Sequence, residues 1–163
     1  MIERVLTIGA FGFNERSFVA ALKAAGVDLF VDIRARRGVR GAEYSFVNSA
    51  RLQASLEAAG IKYIHAKELA PTERVRAVQH REDDASGTAK RQRTRLGDAF
   101  VAAYERECLG AFSPKEFSER CLRDSSRPVF FCVEREPEAC HRSIVARRLA
   151  SALSVPVEHL RPD

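Results

Sequence analysis

Three adjacent residues, Cys140-His141-Arg142, combine a nucleophile, a proton carrier and an anion clamp at the head of a stretch whose apolar residues Ile144, Val145, Leu149 and Ala152 fall at helical spacing. The pattern predicts a helix from about Cys140 to Leu153, with Cys140 at or just before its N-terminus. Unpaired backbone N–H groups and the helix dipole favour an anion there, and a thiolate is one such anion. The alternative is a small buried residue in a helix–sheet contact, the ordinary fate of a free cysteine. His141 offers acid, base or anion-donor chemistry, or else bonds a nearby carbonyl as a cap. An arginine in the first turn of a helix opposes the dipole, so Arg142 is expected to meet a carboxylate or phosphate, or to pair internally with Glu134 or Asp32.

Asp32 and Glu134 close two strand-like runs and are expected to face one pocket as base and acid, or to hold arginines in place. Arg34 and Arg135 would complete that charge cluster. The stretch Arg34-Ala35-Arg36-Arg37-Gly38-Val39-Arg40-Gly41 is basic and flexible, able to wrap a phosphate with guanidinium forks and glycine amides. Tyr44 and Phe46 beyond it are candidates for stacking on a base or for the core. Gly9 and His65 join the candidate binding set by their place at strand ends. A second basic run, Lys90, Arg91, Arg93 and Arg95, reads as the polar face of a helix. A metal site from Cys132, Cys140, His141 and His65 is set aside, because adjacent ligands rarely reach one metal from a helix start. Gly9-Ala-Phe-Gly12 lacks the full dinucleotide fingerprint, so no cofactor is expected.

The elements that must position these groups alternate between strand and helix. Residues 4–9, 28–33, 61–65, 128–133 and 155–160 read as strands, and 128–133, Pro-Val-Phe-Phe-Cys-Val, is the candidate central one. Gly9 and Gly12 suit a tight strand-to-helix turn, Asn14 caps the first helix and Gly26 ends it. Ser49 is the expected cap of a second helix over residues 50–59, and Ser113-Pro114 opens another. From Lys67 to Gly87 the apolar pattern decays, which predicts a mobile insertion with room for one short helix. The expected architecture is a single α/β domain over residues 1–163, three-layered and Rossmann-like, with a mostly parallel sheet of about five strands flanked by helices. In open sheets of that kind ligands bind at the carboxyl ends of the strands.

Hydrophobic residues make up 45% and charged residues 30% of the 163 residues, a globular composition that excludes a disordered chain. No apolar run is long enough to span a bilayer, and Met1-Ile2-Glu3-Arg4-Val5 does not open a secretory signal. The four cysteines match neither a zinc-knuckle spacing nor a small disulfide scaffold, so a reduced cytoplasm is the expected home, with no membrane partner. The net charge of +5 tilts the protein toward anionic partners, a nucleotide or nucleic acid among them.

Thr7-Ile8-Gly9, Val31-Asp32-Ile33-Arg34, Arg36-Arg37-Gly38-Val39-Arg40-Gly41, His65 with Glu68-Leu69, and above all Cys132-x-Glu134-Arg135-x-Pro137-x-x-Cys140-His141-Arg142-Ser143 resemble the bacterial and archaeal family of domains of unknown function numbered 488. The resemblance spans most of the chain and implies the α/β fold and the importance of the Cys-His-Arg motif, with no reaction attached. Ala10-Phe11-Gly12 stands where many members carry a histidine and a serine, and Ala70-Pro71 where many carry glycines. Both departures border the expected pocket and imply a subgroup. The Val-Asp-x-Arg strand with a cysteine ahead of a helix is also similar to rhodanese-type sulfurtransferases, although their cysteine loop is not recognisable here.

Three functions follow as expectations. The first is an enzyme acting on a phosphate-bearing substrate, nucleotide or nucleic acid. In it Arg34, Arg36, Arg37 and Arg142 hold phosphate, Asp32, Glu134 and His141 handle protons, and Cys140 is the nucleophile. The second is a non-catalytic binding module for nucleic acid or a nucleotide that uses the same residues as a clamp. The third is a thiol-dependent sulfur or redox carrier.

Overall fold

A computed structural model describes residues 1–89 and 92–163. Its strands are β1 (Val5–Ile8), β2 (Leu29–Asp32), β3 (Lys62–His65), β4 (Pro128–Phe131) and β5 (Val157–Leu160). Its helices are α1 (Glu15–Ala24), α2 (Ser49–Ala58), α3 (Glu73–Ser86), α4 (Asp98–Glu107), α5 (Pro114–Cys121) and α6 (Arg142–Leu153). The strands form one sheet in the order β3-β2-β4-β1-β5, every pairing parallel. This is the expected three-layer α/β architecture, with β4 at the centre.

Burial explains why the strands read as they do. Every residue of β1, β2 and β4 is buried, as continuous apolar runs require when helices cover both faces of a parallel sheet. The edge strands β3 and β5 are only half-buried, and they carry the polar residues Lys62, Tyr63, Glu158 and His159. Successive side chains of β4 leave opposite faces of the sheet. Phe131 meets Phe18 of α1 with ring centroids 5.7 Å apart, whereas Phe130 meets Phe117 of α5 at 6.2 Å. Two neighbouring phenylalanines thus join both helical layers to one strand.

The chain runs outward through β1, β2 and β3, then returns to insert β4 between β2 and β1. That insertion brings the carboxyl ends of β1, β2 and β4 side by side. Gly9, just past β1, allows the approach: a Cβ there would lie 1.9 Å from the Glu134 carbonyl oxygen. Gly9 is therefore a packing requirement, and it does not line the cavity described below. Gly12 turns with φ +96°, and its amide donates to the Tyr44 hydroxyl at 3.0 Å.

Several local expectations are corrected. Asn48, not Ser49, stands at the cap position of α2, and its side-chain oxygen accepts from the Val39 amide at 2.6 Å, tying down the arginine loop. Instead of one short helix, residues 67–87 hold the 14-residue α3. Its sparse apolar pattern is explained by Gln79 and Asp83, which are buried in polar contacts where an apolar residue would otherwise mark the inner face. Arg93 and Arg95 precede α4 and are not on a helix face; Lys90 and Arg91 lie outside the described residues. Among the described residues no helix is long and apolar enough to cross a membrane.

Candidate active site

Over the ends of β2 and β4 lies a cavity of about 440 Å³. Its wall combines Arg34, Arg36 and Arg40 from the loop after β2, Arg76, Gln79 and His80 from α3, Arg93 ahead of α4, and Cys132, Glu134, Cys140 and His141 from the segment joining β4 to α6. Phe11, Val39, Leu96 and Phe100 supply an apolar side.

Arg34 is anchored from several directions. Its Nε and Nη2 donate to the two Asp32 oxygens at 2.9 and 2.8 Å, Nη2 also reaches the Val47 carbonyl at 2.9 Å, and the guanidinium carbon stands 4.7 Å from the centre of the Phe131 ring. A forked, hydrogen-bonded pair of this kind tolerates burial because each charge keeps its partners. Nη1 is buried without a hydrogen-bond partner among the described residues. Asp32, expected to face the pocket as a base or acid, does not line it. Fully buried, it accepts from Arg34 and, at 2.8 Å, from the Tyr63 hydroxyl, and so positions Arg34 instead. Burial, joined by the Asp32 charge and opposed by Arg37, raises the pKa of Tyr63, so this hydroxyl remains a donor at neutral pH.

The sulfur side of the floor begins where β4 ends. Cys132 follows the strand, and the short turn Pro137–Ala139 returns the chain to Cys140, which is extended, and to His141 at the cap position of α6. Cys140 is 1% and Cys132 7% exposed. The His141 Nε2 faces the Ile33 carbonyl at 3.1 Å, so the neutral ring carries its proton there, while Nδ1 stands 3.7 Å from the Cys140 sulfur. Tyr104 packs its ring edge-on against His141 with centroids 5.4 Å apart, and donates its hydroxyl to the Leu69 carbonyl at 2.6 Å. The Cys132 thiol is pushed well up by its hydrogen bond to Cys140 and by burial. For His141 burial opposes charge, but Cys132, Glu134 and the Ile33 carbonyl outweigh it and set the direction upward. The amides of Ser143 and Ile144 bond the carbonyls of Cys140 and His141, so these two amides at the start of α6 are satisfied by its own turn.

Arg142 is corrected as a phosphate ligand. It is 1% exposed, does not line the cavity, and its guanidinium donates to the carbonyls of Glu134 and Arg135, the latter at 3.1 Å. The side chain satisfies the chain end of β4, which explains its place in the first turn against the dipole. Arg135 and Arg37 also lie off the cavity wall; Arg37 reaches the Tyr63 hydroxyl at 3.5 Å. His65 bonds the Arg34 carbonyl through Nε2 at 2.7 Å and supports the loop from behind. Tyr44 and Phe46 pack together in the core, with centroids 6.0 Å apart.

Sequence reasoning missed Arg93, the link between α3 and the floor. It donates to Asp83 through Nη2 at 2.5 Å and stands 3.7 Å from a Glu134 oxygen. Burial disfavours the Asp83 charge, but hydrogen bonds from Arg93 and Gln79 outweigh it and lower its pKa. Gln79 and Asp83 carried one usable signal, polar residues four apart in line with Val75 on a helix with few apolar ones; Arg93, outside any helix, carried none. The geometric objection to a metal is also removed: ligand atoms of Cys132, Cys140 and His141 all lie within 4.8 Å of one another, and His65 is not part of the group.

Comparison with known proteins yields no matching curated protein and no matching solved structure. The family described as Domain of unknown function DUF488 matches residues 15–149, which include Asp32, the arginine loop, α3 and the whole Cys132-to-Arg142 motif. Most of the chain and nearly all of the cavity wall fall inside that match, and the chain belongs to the DUF488 family.

Proposed function

We propose that this protein is an enzyme acting on a phosphate-bearing substrate, a nucleotide or nucleic acid, within the cavity over β2 and β4. The observation that carries the reading is the charge of its wall: Arg34, Arg36, Arg40, Arg76 and Arg93 face a single carboxylate, Glu134. Arg40 and Arg76 have no ion-pair partner among the described residues, which leaves their charge to an incoming anion. Guanidinium forks match phosphate oxygens in geometry as well as charge. The volume lies within the roughly 300–1,000 Å³ of small-molecule sites, and the Phe11, Val39, Leu96 and Phe100 side suits a planar apolar group such as a base. Glu134 and His141, both buried at the floor, are the groups to which this reading gives proton transfer.

Calorimetric titration with inorganic phosphate, nucleoside monophosphates and short single-stranded oligonucleotides tests the reading. Binding is expected to weaken at least about tenfold in the double variant Arg40→Ala, Arg76→Ala, as loss of charge-assisted hydrogen bonds requires. A Glu134→Gln variant is expected to lose turnover of the bound phosphate compound while keeping affinity. If no phosphate compound binds, the reading is wrong. Binding without turnover, unchanged by Glu134→Gln, would move the protein to the non-catalytic alternative.

A further inference from the structure

We infer that Cys132, Cys140 and His141 form a binding site for one divalent transition metal of the zinc class, open toward the cavity. The three residues come from the end of β4 and the start of α6, and their ligand atoms lie within 4.8 Å of one another. Zinc bonds of about 2.3 Å to sulfur and about 2.0 Å to nitrogen, at tetrahedral angles, set a sulfur–nitrogen edge of about 3.5 Å. Cys140 Sγ and His141 Nδ1 stand 3.7 Å apart, so this edge needs almost no movement.

The second, independent observation is how His141 is held. Its Nε2 faces the Ile33 carbonyl at 3.1 Å, and Tyr104 fixes the ring plane edge-on. Metal-ligating histidines almost always donate their other ring N–H to a carbonyl or carboxylate, which orients the ring and turns the bare nitrogen toward the metal. In the neutral ring that bare nitrogen is Nδ1, the one beside the sulfurs. With a thiol proton present this lone pair accepts from sulfur, and once both thiols are deprotonated it is the third donor a metal requires.

Charge balance favours the same occupant. Two thiols each release a proton to solvent as the metal binds, and two thiolates with one divalent cation and a neutral imidazole carry no net charge. Such a unit suits a floor where both cysteines are buried. Three protein ligands leave a fourth position, and all three residues line the cavity, so that position is available to water or to an oxygen of a bound molecule. This is the pattern of a site that polarises a ligand rather than of a closed structural zinc. The soft sulfur donors select zinc-class ions over magnesium or calcium.

The inference does not rest on the phosphate reading and is tested without any substrate. Chelator-treated protein titrated with Co²⁺ is expected to take up one equivalent, with thiolate-to-cobalt charge-transfer absorption and the intense visible bands of a tetrahedral site, both abolished by one equivalent of Zn²⁺. Cys132→Ser and Cys140→Ser should each remove the charge-transfer band or weaken it by about half, while Cys108→Ser leaves it intact. No charge-transfer band in the wild-type chain at saturating Co²⁺, or an undiminished band in both cysteine variants, overturns the site. Should the variants not fold, X-ray absorption of the zinc-loaded wild-type chain decides: two sulfurs at about 2.3 Å support the site, and a first shell of nitrogen and oxygen alone refutes it.

Discussion

The two ends of β2 carry the same chemical group in different settings. At the N-terminal end Asp28 accepts from the Ser125 and Ser126 hydroxyls and from the amides of Ser126 and Arg127, four donors of one loop that closes α5 onto β4. At the C-terminal end Asp32 accepts from Arg34 and Tyr63, and its partner Arg34 lines the cavity with one nitrogen unpartnered among the described residues. The first carboxylate finishes a turn. The second holds a cation at the cavity wall. Hydrogen-bonded charge can be structural or preparatory, and what separates the two here is whether the network ends within itself or at a cavity.

Breaking the preparatory end should have the largest effect. Asp32→Ala leaves the Arg34 charge buried without its carboxylate and is expected to cost about 3–5 kcal/mol, read from urea unfolding. Arg34→Ala strands Asp32 in the same way. If either variant is as stable as the parent, the pair is not the buried anchor described. Next comes Asp28→Ala, expected to cost on the order of 2 kcal/mol through lost hydrogen bonds to a charged group, with the cavity's ligand affinity unchanged. An affinity loss there would join the two ends and dissolve the contrast.

The pH dependence sharpens it further. Burial works against the Asp28 charge, but the Ser125, Ser126 and Arg127 donors outweigh it and lower its pKa in the folded state. Its stabilising contribution is then fully present above the unfolded value near 3.9 and is lost as pH falls through the lowered folded value. The difference in urea midpoint between wild type and Asp28→Asn should accordingly narrow below about pH 4. The smallest effect belongs to Arg40→Ala, expected to change stability by less than about 0.5 kcal/mol while weakening phosphate binding several-fold. A stability loss above that would make Arg40 part of the scaffold.

Much of the fold was legible because it depends on local rules. Gly26 adopts φ +66°, Asn14 and Ser17 exchange cap hydrogen bonds, and Pro114 opens α5 behind Ser113, each as neighbouring residues dictate. The buried strands could be read because covering both faces of a parallel sheet leaves an unbroken apolar run. α3 was hard to see for the opposite reason: its inner face is polar, with Gln79 and Asp83 satisfied by Gly97 and Arg93 from beyond the helix. Periodicity cannot register a buried residue whose partner lies elsewhere in the chain.

The site divides in the same way. From residue types and strand ends alone, the sequence placed Arg34, Arg36, Glu134, Cys140 and His141 at one edge of the sheet, and all five line the cavity. It could not say that Arg142 turns inward to the carbonyls of Glu134 and Arg135, that Asp32 stands behind Arg34, or that Arg93 crosses from before α4 to reach Asp83 and Glu134. Which strand ends a residue is a property of local pattern, written into the chain by hydrophobic period and turn chemistry. Which neighbour a charged side chain chooses depends on β4 entering between β2 and β1, an arrangement of distant segments, so only the tertiary structure decides between an arginine that lines the cavity and an arginine that supports its wall.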